Sequence, residues 1–452
     1  MLTANPHATP PIVRAWKCVV CGTVVDVGTP LSWRCPASSD ADRHHVLSPQ
    51  SDVAPLRREK GDDDDNPFLA FRRYLAWDSF AAVFGLTVED RVAIVRDCDA
   101  RVAAVAGTGF HITPFARADR LSDAFGFSPD GGVWVKDETN NVAGSHKARH
   151  LFVELLHLVT LERVGRAPWP SRDERPALAI ASCGNAAIAA STLAKSQRWP
   201  ISVFVPPSAE PDVLEMLARL DANVVVCPRR DDDPPGDPCV HRFREAVRNG
   251  AVPFGVQGTE NGWCLDGGRT IGWEMAWVAE HAPPPLVSRL FVQVGGGAFA
   301  ASLARGFHAG GTNAQLHAVQ AEGCAPLARA WHAATKFASL ADAARHWDDC
   351  MWPWDAPHSF ADGILDDETY DWVSVCDAMQ RSEGSPVVAT EAQIHEAYEM
   401  AHRHTDIDVS PTGAAGLAGV LAMRHMVGND ERIAVVFSGV RRSTPRPARG
   451  ER

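Results

Sequence analysis

Lys147 lies in the stretch NNVAGSHKARHL, between a glycine-serine turn and a segment that could open a helix. Most lysines near a helix start are solvated surface charges. The start of a helix carries a partial positive charge, which disfavours a cation there by roughly 0.3–1 kcal/mol. A covalent bond made by the amine would remove that cost. We therefore interpret Lys147 as a candidate nucleophile.

A run of glycines, VGGGAF, follows the apolar stretch LFVQV. Gly295, Gly296 and Gly297 carry no side chains, so the backbone N–H groups from these residues to Ala298 can approach a phosphate closely. The same run would also suit a tight turn without a ligand. A dinucleotide site is less well supported, because the spacing is not GxGxxG and no acidic residue follows at the expected distance.

A third segment, SCGNAA, follows ALAI and opens a helix pattern. As structure alone, Ser182 is a helix cap and Asn185 a turn residue. A helix start also lowers a thiol pKa, which makes Cys183 a candidate nucleophile, although no histidine partner is identifiable.

The N-terminal part contains CVVC, which is Cys18 and Cys21, followed by Cys35. Three thiols, with His44 or His45 as a fourth ligand, would suit tetrahedral zinc. A second CxxC is missing, however, since the later segment reads CPASS. The alternative is an arm with free thiols and no metal.

Composition excludes several classes of protein. The chain has 452 residues and a formal charge of −12, so we expect no nucleic-acid partner, because such binding needs clustered Lys and Arg. No apolar run reaches the roughly 18 residues of a membrane span. The start of the sequence lacks the pattern of a secretory signal, and eleven scattered cysteines are typical of reduced thiols. We expect a cytoplasmic protein.

The elements that must position these residues form a repeating pattern from Pro67 onward. Short β-branched runs alternate with helix-length amphipathic segments, which is typical of βα units and parallel sheets. GVWVKDE predicts a strand and SHKARHLFVELLHLVTLERV the following helix, with Ser145 as its N-cap. GSHK, SCGNAA, GGGA and a late SG all follow predicted strands. Open α/β sheets bind their ligands at the carboxyl ends of their strands, which is where these four segments lie.

Taken together, these motifs resemble the fold-type II family of pyridoxal phosphate enzymes, the tryptophan synthase β superfamily. The resemblance covers about Gly107 to Gly439 and rests on GTGFHITPF, VWVKDETNNVAGSHKAR, ASCGNAAIAASTLAK, LDGGRTIGWEM, VQVGGGAFAASLARGF, VQAEGCAPL, FADGIL and SPTGAAGLAGVL. Threonine synthase is the most similar member, given VQAEGCAPLARA and the cysteine-bearing N-terminal extension. The resemblance implies pyridoxal phosphate as cofactor.

The resemblance also implies roles for individual residues. Lys147 would bond covalently to the cofactor and act as the base at the substrate Cα, and Asn185 would bond the ring hydroxyl. Ser438 would face the ring nitrogen. The substrate carboxylate would lie against Ser182, Cys183 and Gly184, and the phosphate would be held by Gly295, Gly296, Gly297 and Ala298.

It further implies a two-lobed α/β fold with parallel sheets flanked by helices, plus an N-terminal cysteine-bearing arm. We expect residues 1–66 to form this arm, zinc-ribbon-like and closed by an acidic linker. Residues 67–144 and 255–445 would form the large cofactor-binding domain and residues 145–254 the small α/β domain. Family members are usually dimers or tetramers, so we expect a homodimer.

The sequence departs from the family pattern near the lysine. Val142 and Ala143 replace the usual Pro-Thr, and His146 precedes the lysine as in tryptophan synthase β. Ala148 and Ser410 replace acids. The expected function is elimination or replacement at the side chain of a hydroxy- or phospho-substituted amino acid, as in threonine synthase. The alternatives are a serine or threonine ammonia-lyase, a cysteine synthase-like β-replacement, and an inactive cofactor-binding regulatory protein.

Overall fold

The computed structural model describes residues 12–51, 56–58 and 65–442. The acidic linker is only partly covered, because residues 62–64 lie outside the described residues. The same holds for residues 443–445 at the end of the expected large domain. Within the described ranges, no helix is both long and apolar enough to cross a lipid bilayer.

Thirteen strands occur in the described part of the chain. They are β1 Val13–Cys18, β2 Val24–Asp26, β3 Leu47–Ser51, β4 Phe115–Arg117, β5 Gly132–Asp137, β6 Leu178–Ala181, β7 Ile201–Val205, β8 Asn223–Val226, β9 Val252–Pro253, β10 Val287–Gln293, β11 Gln315–Ala321, β12 Ser385–Ala389 and β13 Arg432–Phe437.

Fifteen α-helices accompany the strands in these same ranges. They are α1 Pro67–Ala70, α2 Ala76–Val83, α3 Val88–Ala106, α4 Asp119–Ala124, α5 Lys147–Arg163, α6 Asn185–Ser196, α7 Pro211–Arg219, α8 Pro238–Arg248, α9 Cys264–His281, α10 Ala298–Ala309, α11 Pro326–Ala334, α12 Leu340–Arg345, α13 Trp372–Arg381, α14 Glu391–His404 and α15 Pro411–Met423.

Two sheets carry most of the strands, and a third belongs to the arm. The larger sheet has the order β12-β11-β10-β13-β5-β4, with only β4 antiparallel to its neighbour. The smaller sheet has the order β8-β7-β6-β9 and is parallel throughout. The predicted α/β fold with parallel sheets and flanking helices is confirmed. The division into residue ranges stays a prediction.

The central strands of the larger sheet are buried on both faces, as their continuous apolar runs predict. In β13 the residues from Ile433 to Phe437 are buried, and in β10 those from Leu290 to Gln293. Helix α15 covers this sheet closely. A Cβ at Gly413 would lie 2.4 Å from the carbonyl oxygen of Ser438, so only glycine allows this approach.

The strand order brings three segments of the site to one edge. Strands β10, β13 and β5 are direct neighbours and parallel, so their carboxyl ends meet. The first leads into the glycine run, the second into Ser438, and the third into the turn before Lys147. In the smaller sheet, β6 leads into Ser182 and the start of α6 at Asn185.

The N-terminal arm forms a three-stranded antiparallel sheet, β2-β1-β3. Val13, Trp16 and Leu47 of this sheet are buried and belong to the same hydrophobic cluster as residues of helices α2, α5 and α9. Trp16 and Trp263 both lie against the ring of His157 on α5. The arm therefore packs on the main body as part of its core.

Candidate active site

Lys147 is the first residue of α5 and is half-buried. The preceding turn places Ala143 at φ 55° and Gly144 at φ 66°. Ser145 was expected to be the N-cap, but the cap position belongs to His146, which makes no side-chain capping bond. The Ser145 hydroxyl instead accepts the N–H of Lys147 at 3.4 Å, because the turn ends one residue later than the sequence suggests.

Burial lowers the pKa of the Lys147 amine, while the nearby carboxylate of Asp366 and thiol of Cys264 oppose that shift. A lowered pKa increases the fraction of neutral amine at physiological pH. The neutral amine is the form that attacks a carbonyl carbon or removes a proton. The environment of Lys147 thus suits both chemical roles expected of it.

The glycine run forms a compact loop between β10 and α10. Gly297 has φ 97° and precedes Ala298, the first residue of α10. A Cβ at Gly295 would lie 2.2 Å from a carboxylate oxygen of Asp366. A Cβ at Gly296 would also lie 3.8 Å from the same oxygen, so this carboxylate lies against the glycine loop. An anion can therefore approach the backbone of the loop closely, as a phosphate site requires.

Asp366 was not among the residues expected from the sequence. Burial raises its pKa to about 6, while Lys147 and the amide of Gly296 hold it down. Because its carboxylate lies against the glycine loop, it would compete with a phosphate bound there. The sequence signal for this residue was the acidic run DDETYD, which follows FADGIL directly.

Asn185 begins α6, and its side chain lies against the residue after Ser438. A Cβ at Gly439 would lie 2.7 Å from Nδ2 of Asn185, so the Asn185 amide lies close to the backbone that follows β13. The Oδ1 atom of Asn185 accepts Nε of Arg442 at 3.1 Å. Arg442 also donates to the carbonyl of Ala143 in the turn before Lys147.

Ser438 is buried and bonded to the residue beside Lys147. The backbone N–H of His146 donates to the Ser438 hydroxyl at 3.0 Å, and Nδ1 of the His146 ring is a second partner. The ring stacks on Phe299 of α10. Burial and the adjacent Lys147 keep the pKa of His146 well below its usual value, so the ring is neutral.

Ser182, Cys183 and Gly184 form the turn that precedes Asn185. The N–H of Gly184 donates to the Ser182 hydroxyl at 3.4 Å. Burial and the nearby carboxylates of Asp362, Asp237 and Asp366 raise the pKa of Cys183 to about 11. A thiol that stays protonated is a poor nucleophile. This environment disfavours nucleophilic catalysis by Cys183.

A buried ionic network lies beneath the site and was also missed by sequence reasoning. Nε of Arg149 donates to Glu138 at 2.9 Å, and the guanidinium also contacts Glu274 of α9. Lys136 contacts Glu274 and donates to the Thr113 carbonyl at 2.6 Å. All four charged side chains are buried. The sequence feature that could have revealed this network is the presence of charged residues within apolar runs, as in VWVKDE and IGWEM.

This network fixes the direction in which α5 leaves β5. Glu138 follows β5 directly, and Arg149 lies in the first turn of α5, two residues after Lys147. The bonds between them therefore tie the end of the strand to the start of the helix. The contact between Arg149 and Glu274 also connects the start of α5 to α9. Lys147 is held by this framework without a direct bond to it.

The arm brings its three cysteines together with one histidine. The ligand atoms of Cys18, Cys21, Cys35 and His45 all lie within 4.8 Å of one another. His44 points elsewhere, since its Nδ1 lies 3.5 Å from the carbonyl of Tyr370 and its ring lies against Trp347. Of the two histidines left open by the sequence, His45 belongs to the cluster.

Comparison with known proteins gives the class that this fold and site define. The pyridoxal-phosphate dependent enzyme family matches residues 108–439, and the chain belongs to this family. No curated protein matches the chain.

Solved structures share the fold at low sequence identity. The processed form of threonine deaminase isoform 2 from Solanum lycopersicum is 19% identical with a TM-score of 0.57, covering 79% of this chain and 91% of its own. The maize serine racemase is 19% identical with a TM-score of 0.56, covering 77% and 93%. Diaminopropionate ammonia lyase from Escherichia coli is 14% identical with a TM-score of 0.57, covering 78% and 89%.

Proposed function

We propose that the protein is a pyridoxal phosphate-dependent lyase that eliminates a hydroxyl or phosphate group from the side chain of an amino acid. The observation that carries this proposal is Ser438, a buried hydroxyl beside Asn185 where the family resemblance places the ring nitrogen. An aspartate there would keep the nitrogen charged. A hydroxyl can donate to an uncharged nitrogen, which gives a weaker electron sink that suits elimination or replacement.

When bound, pyridoxal phosphate supplies the electron sink for negative charge that develops at the substrate Cα. Lys147 would hold the cofactor through Nζ, and the same amine would take the proton from the Cα of a bound amino acid. Burial supports this step, because the lowered pKa of Lys147 favours the neutral amine. The same amine, once protonated, can return a proton to the leaving group.

The remaining site residues would bind and orient the cofactor and the substrate. The N–H groups from Gly295 to Ala298 would hold the phosphate, because the glycine loop leads into the start of α10 at Ala298. The amide of Asn185 faces the ring hydroxyl. The turn from Ser182 to Gly184 holds the substrate carboxylate at the start of α6, where free N–H groups favour an anion.

The Ser438 hydroxyl is oriented by His146. The backbone N–H of His146 occupies one acceptor position of the hydroxyl oxygen. If the neutral ring carries its proton on Nδ1, it donates to the same oxygen and leaves the Ser438 proton for the ring nitrogen. Nε2 of His146 has no partner among the described residues, and an unpaired acceptor costs less there than an unpaired N–H donor.

Three variants of this proposal differ in substrate. The sequence resemblance favours threonine synthase chemistry on phosphohomoserine. The similar folds named threonine deaminase and diaminopropionate ammonia lyase have names that describe loss of an amino group, and they favour an ammonia-lyase acting on serine or threonine. A β-replacement on acetylserine, as in cysteine synthase, is the third variant.

A substrate panel decides among these variants. The purified protein with pyridoxal phosphate is incubated separately with serine, threonine, phosphohomoserine and acetylserine plus sulfide. We expect a 2-oxo acid and ammonia from an ammonia-lyase, phosphate and threonine from a synthase, and cysteine from a replacement. Cofactor binding without any product would overturn the enzyme proposal and favour a regulatory protein.

Three further expectations remain proposals. A homodimer is tested by light scattering on the purified protein, and a cytoplasmic location by cell fractionation. Zinc in the arm is a separate proposal. It has no part in this reaction, because pyridoxal phosphate and Lys147 supply all the chemistry that the elimination needs.

A further inference from the structure

The cluster of Cys18, Cys21, Cys35 and His45 has the dimensions of a tetrahedral zinc site. Sγ of Cys21 lies 3.6 Å from Sγ of Cys35, and Sγ of Cys18 lies 3.4 Å from Nδ1 of His45. Zinc–sulfur bonds of about 2.3 Å and zinc–nitrogen bonds of about 2.0 Å place tetrahedral sulfur pairs about 3.8 Å apart and sulfur–nitrogen pairs about 3.6 Å apart. The observed spacings match both values closely.

The histidine is oriented for a metal by a second residue. Nε2 of His45 lies 2.9 Å from a carboxylate oxygen of Asp42. This contact holds the ring proton on Nε2 and leaves the lone pair of Nδ1 directed at Cys18. A carboxylate behind the distal nitrogen is the usual support of a zinc-bound histidine, and it is independent of the cysteine spacing.

A disulfide explains these positions less well. A sulfur–sulfur bond is about 2.05 Å long, far shorter than the Cys21–Cys35 separation of 3.6 Å. A bond between two of the thiols would also leave the third thiol and the Asp42–His45 pair without a purpose. All eleven cysteines of the chain are free thiols.

We propose that the arm binds one zinc ion through Sγ of Cys18, Cys21 and Cys35 and Nδ1 of His45. The three thiols release their protons to solvent on binding, and the histidine binds as the neutral ring. Four protein ligands leave no open position, so the ion is structural. It joins the turn after β1 to the segment 35–45.

The segment that zinc would fix lies against the cofactor cleft. Arg43 pairs with Glu368, with one nitrogen–oxygen distance of 2.8 Å, and Glu368 lies two residues after Asp366. Val46, next to His45, packs in one cluster with Ala298 and Cys264. Loss of zinc should therefore loosen both Ala298 at the glycine loop and the segment that carries Asp366.

Metal content tests the site directly. The full-length protein, purified without chelators, should contain about one zinc per chain by plasma mass spectrometry, whether or not pyridoxal phosphate is bound. Cys21→Ser and Cys35→Ser should each lose most of it. Cys98→Ser, which changes a buried thiol of α3 outside the cluster, should keep it. His45→Gln should lose zinc, and His44→Gln should keep it.

The contact between Asp42 and His45 allows a test in which zinc binding is weakened but not lost. Asp42→Asn should weaken zinc binding by about 10- to 100-fold in a chelator competition. Cobalt replacing zinc should give the absorption of a tetrahedral site with thiolate ligands. Wild-type protein that contains no zinc and takes up none, or thiol counting that shows a Cys21–Cys35 disulfide, would overturn the proposal.

The link to the cleft has its own measurement. Pyridoxal phosphate should bind more weakly to Cys35→Ser than to Cys98→Ser, and Arg43→Ala should weaken it while retaining zinc. Unchanged cofactor affinity in the zinc-free variant would refute the link but leave the metal site intact. Neither result depends on which substrate the enzyme converts, so failure of the proposed reaction is distinguishable from failure of the zinc site.

Discussion

The carboxylate of Asp366 lies against the glycine loop, where a Cβ at Gly295 would lie 2.2 Å from its oxygen, and its charge acts on the pKa of Lys147. One side chain thus lies between the two parts of the site that pyridoxal phosphate would use, the phosphate loop and the nucleophile. Asp366 must leave the loop when a phosphate enters. The cofactor-free protein therefore carries its own competing anion.

Replacing Asp366 by asparagine should strengthen cofactor binding. The variant removes a negative charge from the phosphate position and frees the Lys147 amine from its carboxylate neighbour. We expect the dissociation constant of pyridoxal phosphate to fall by about tenfold, or about 1.4 kcal/mol. A fluorescence titration measures it. Asp362→Asn, at an exposed carboxylate nearby, is the control and should change it little.

The same residue gives a pH-dependent stability with a definite sign. Burial raises the pKa of Asp366 from 3.8 to about 6, so the folded chain binds more protons than the unfolded chain between these values. Stability contributed by the protonated acid is full below pH 3.8 and is lost as the pH rises through 6. In the absence of cofactor, Asp366→Asn should therefore be more stable than wild type at about pH 8, and the difference should vanish near about pH 4. Urea unfolding of both proteins at both pH values measures the difference in their free energies of unfolding. A difference of the same size at the two pH values would refute the prediction.

Lys147→Ala should abolish product formation and remove the visible absorption band of the bound cofactor. Among the residues proposed for the site, no other amine can take over both roles. The matched control is Lys195→Ala, because Lys195 lies on the surface of α6, where it donates to the carbonyl of Arg219 and pairs with Asp221. A band that persists in Lys147→Ala would identify another lysine as its source.

Ser438→Ala should slow turnover while the cofactor stays covalently bound. The variant removes the hydroxyl offered to the ring nitrogen, which is worth about 1 kcal/mol as a neutral hydrogen bond and would lower kcat by about fivefold. Ser438→Thr keeps the hydroxyl and should retain most of the activity. Equal activity of the alanine and threonine variants would show that the hydroxyl has no role in the reaction.

Arg149→Met should destabilise the whole fold by about 3–5 kcal/mol, because it leaves the carboxylates of Glu138 and Glu274 buried without their cation. Chemical denaturation measures the change. Arg219→Ala removes an exposed pair with Glu215 and should cost less than about 1 kcal/mol. Similar losses of stability in the two variants would mean that the buried ionic network contributes no more to stability than an exposed ion pair.

Much of the site was readable from the sequence because its residues follow strands. Lys147, the glycine run, Asn185 and Ser438 were each predicted just beyond an apolar β-branched run, and each lies there. Strands β10, β13 and β5 are parallel neighbours in one sheet, so their carboxyl ends share one edge and bring three of these segments together. Asn185 follows β6 of the other sheet, and its approach to Gly439 is decided by how the two sheets pack. The Ser145 cap was wrong because cap geometry depends on the turn before it.

The sequence by itself therefore determined the fold class, the cofactor family and the order of the residues that would bind the cofactor, since these depend on local runs and turns. Only the tertiary structure decided that Asp366 enters the glycine loop, that His146 holds Ser438 and that His45, not His44, joins the cysteines. His146 and Ser438 are 292 residues apart. Contacts over such separations leave no periodic or spacing signal, because folding alone brings their partners together.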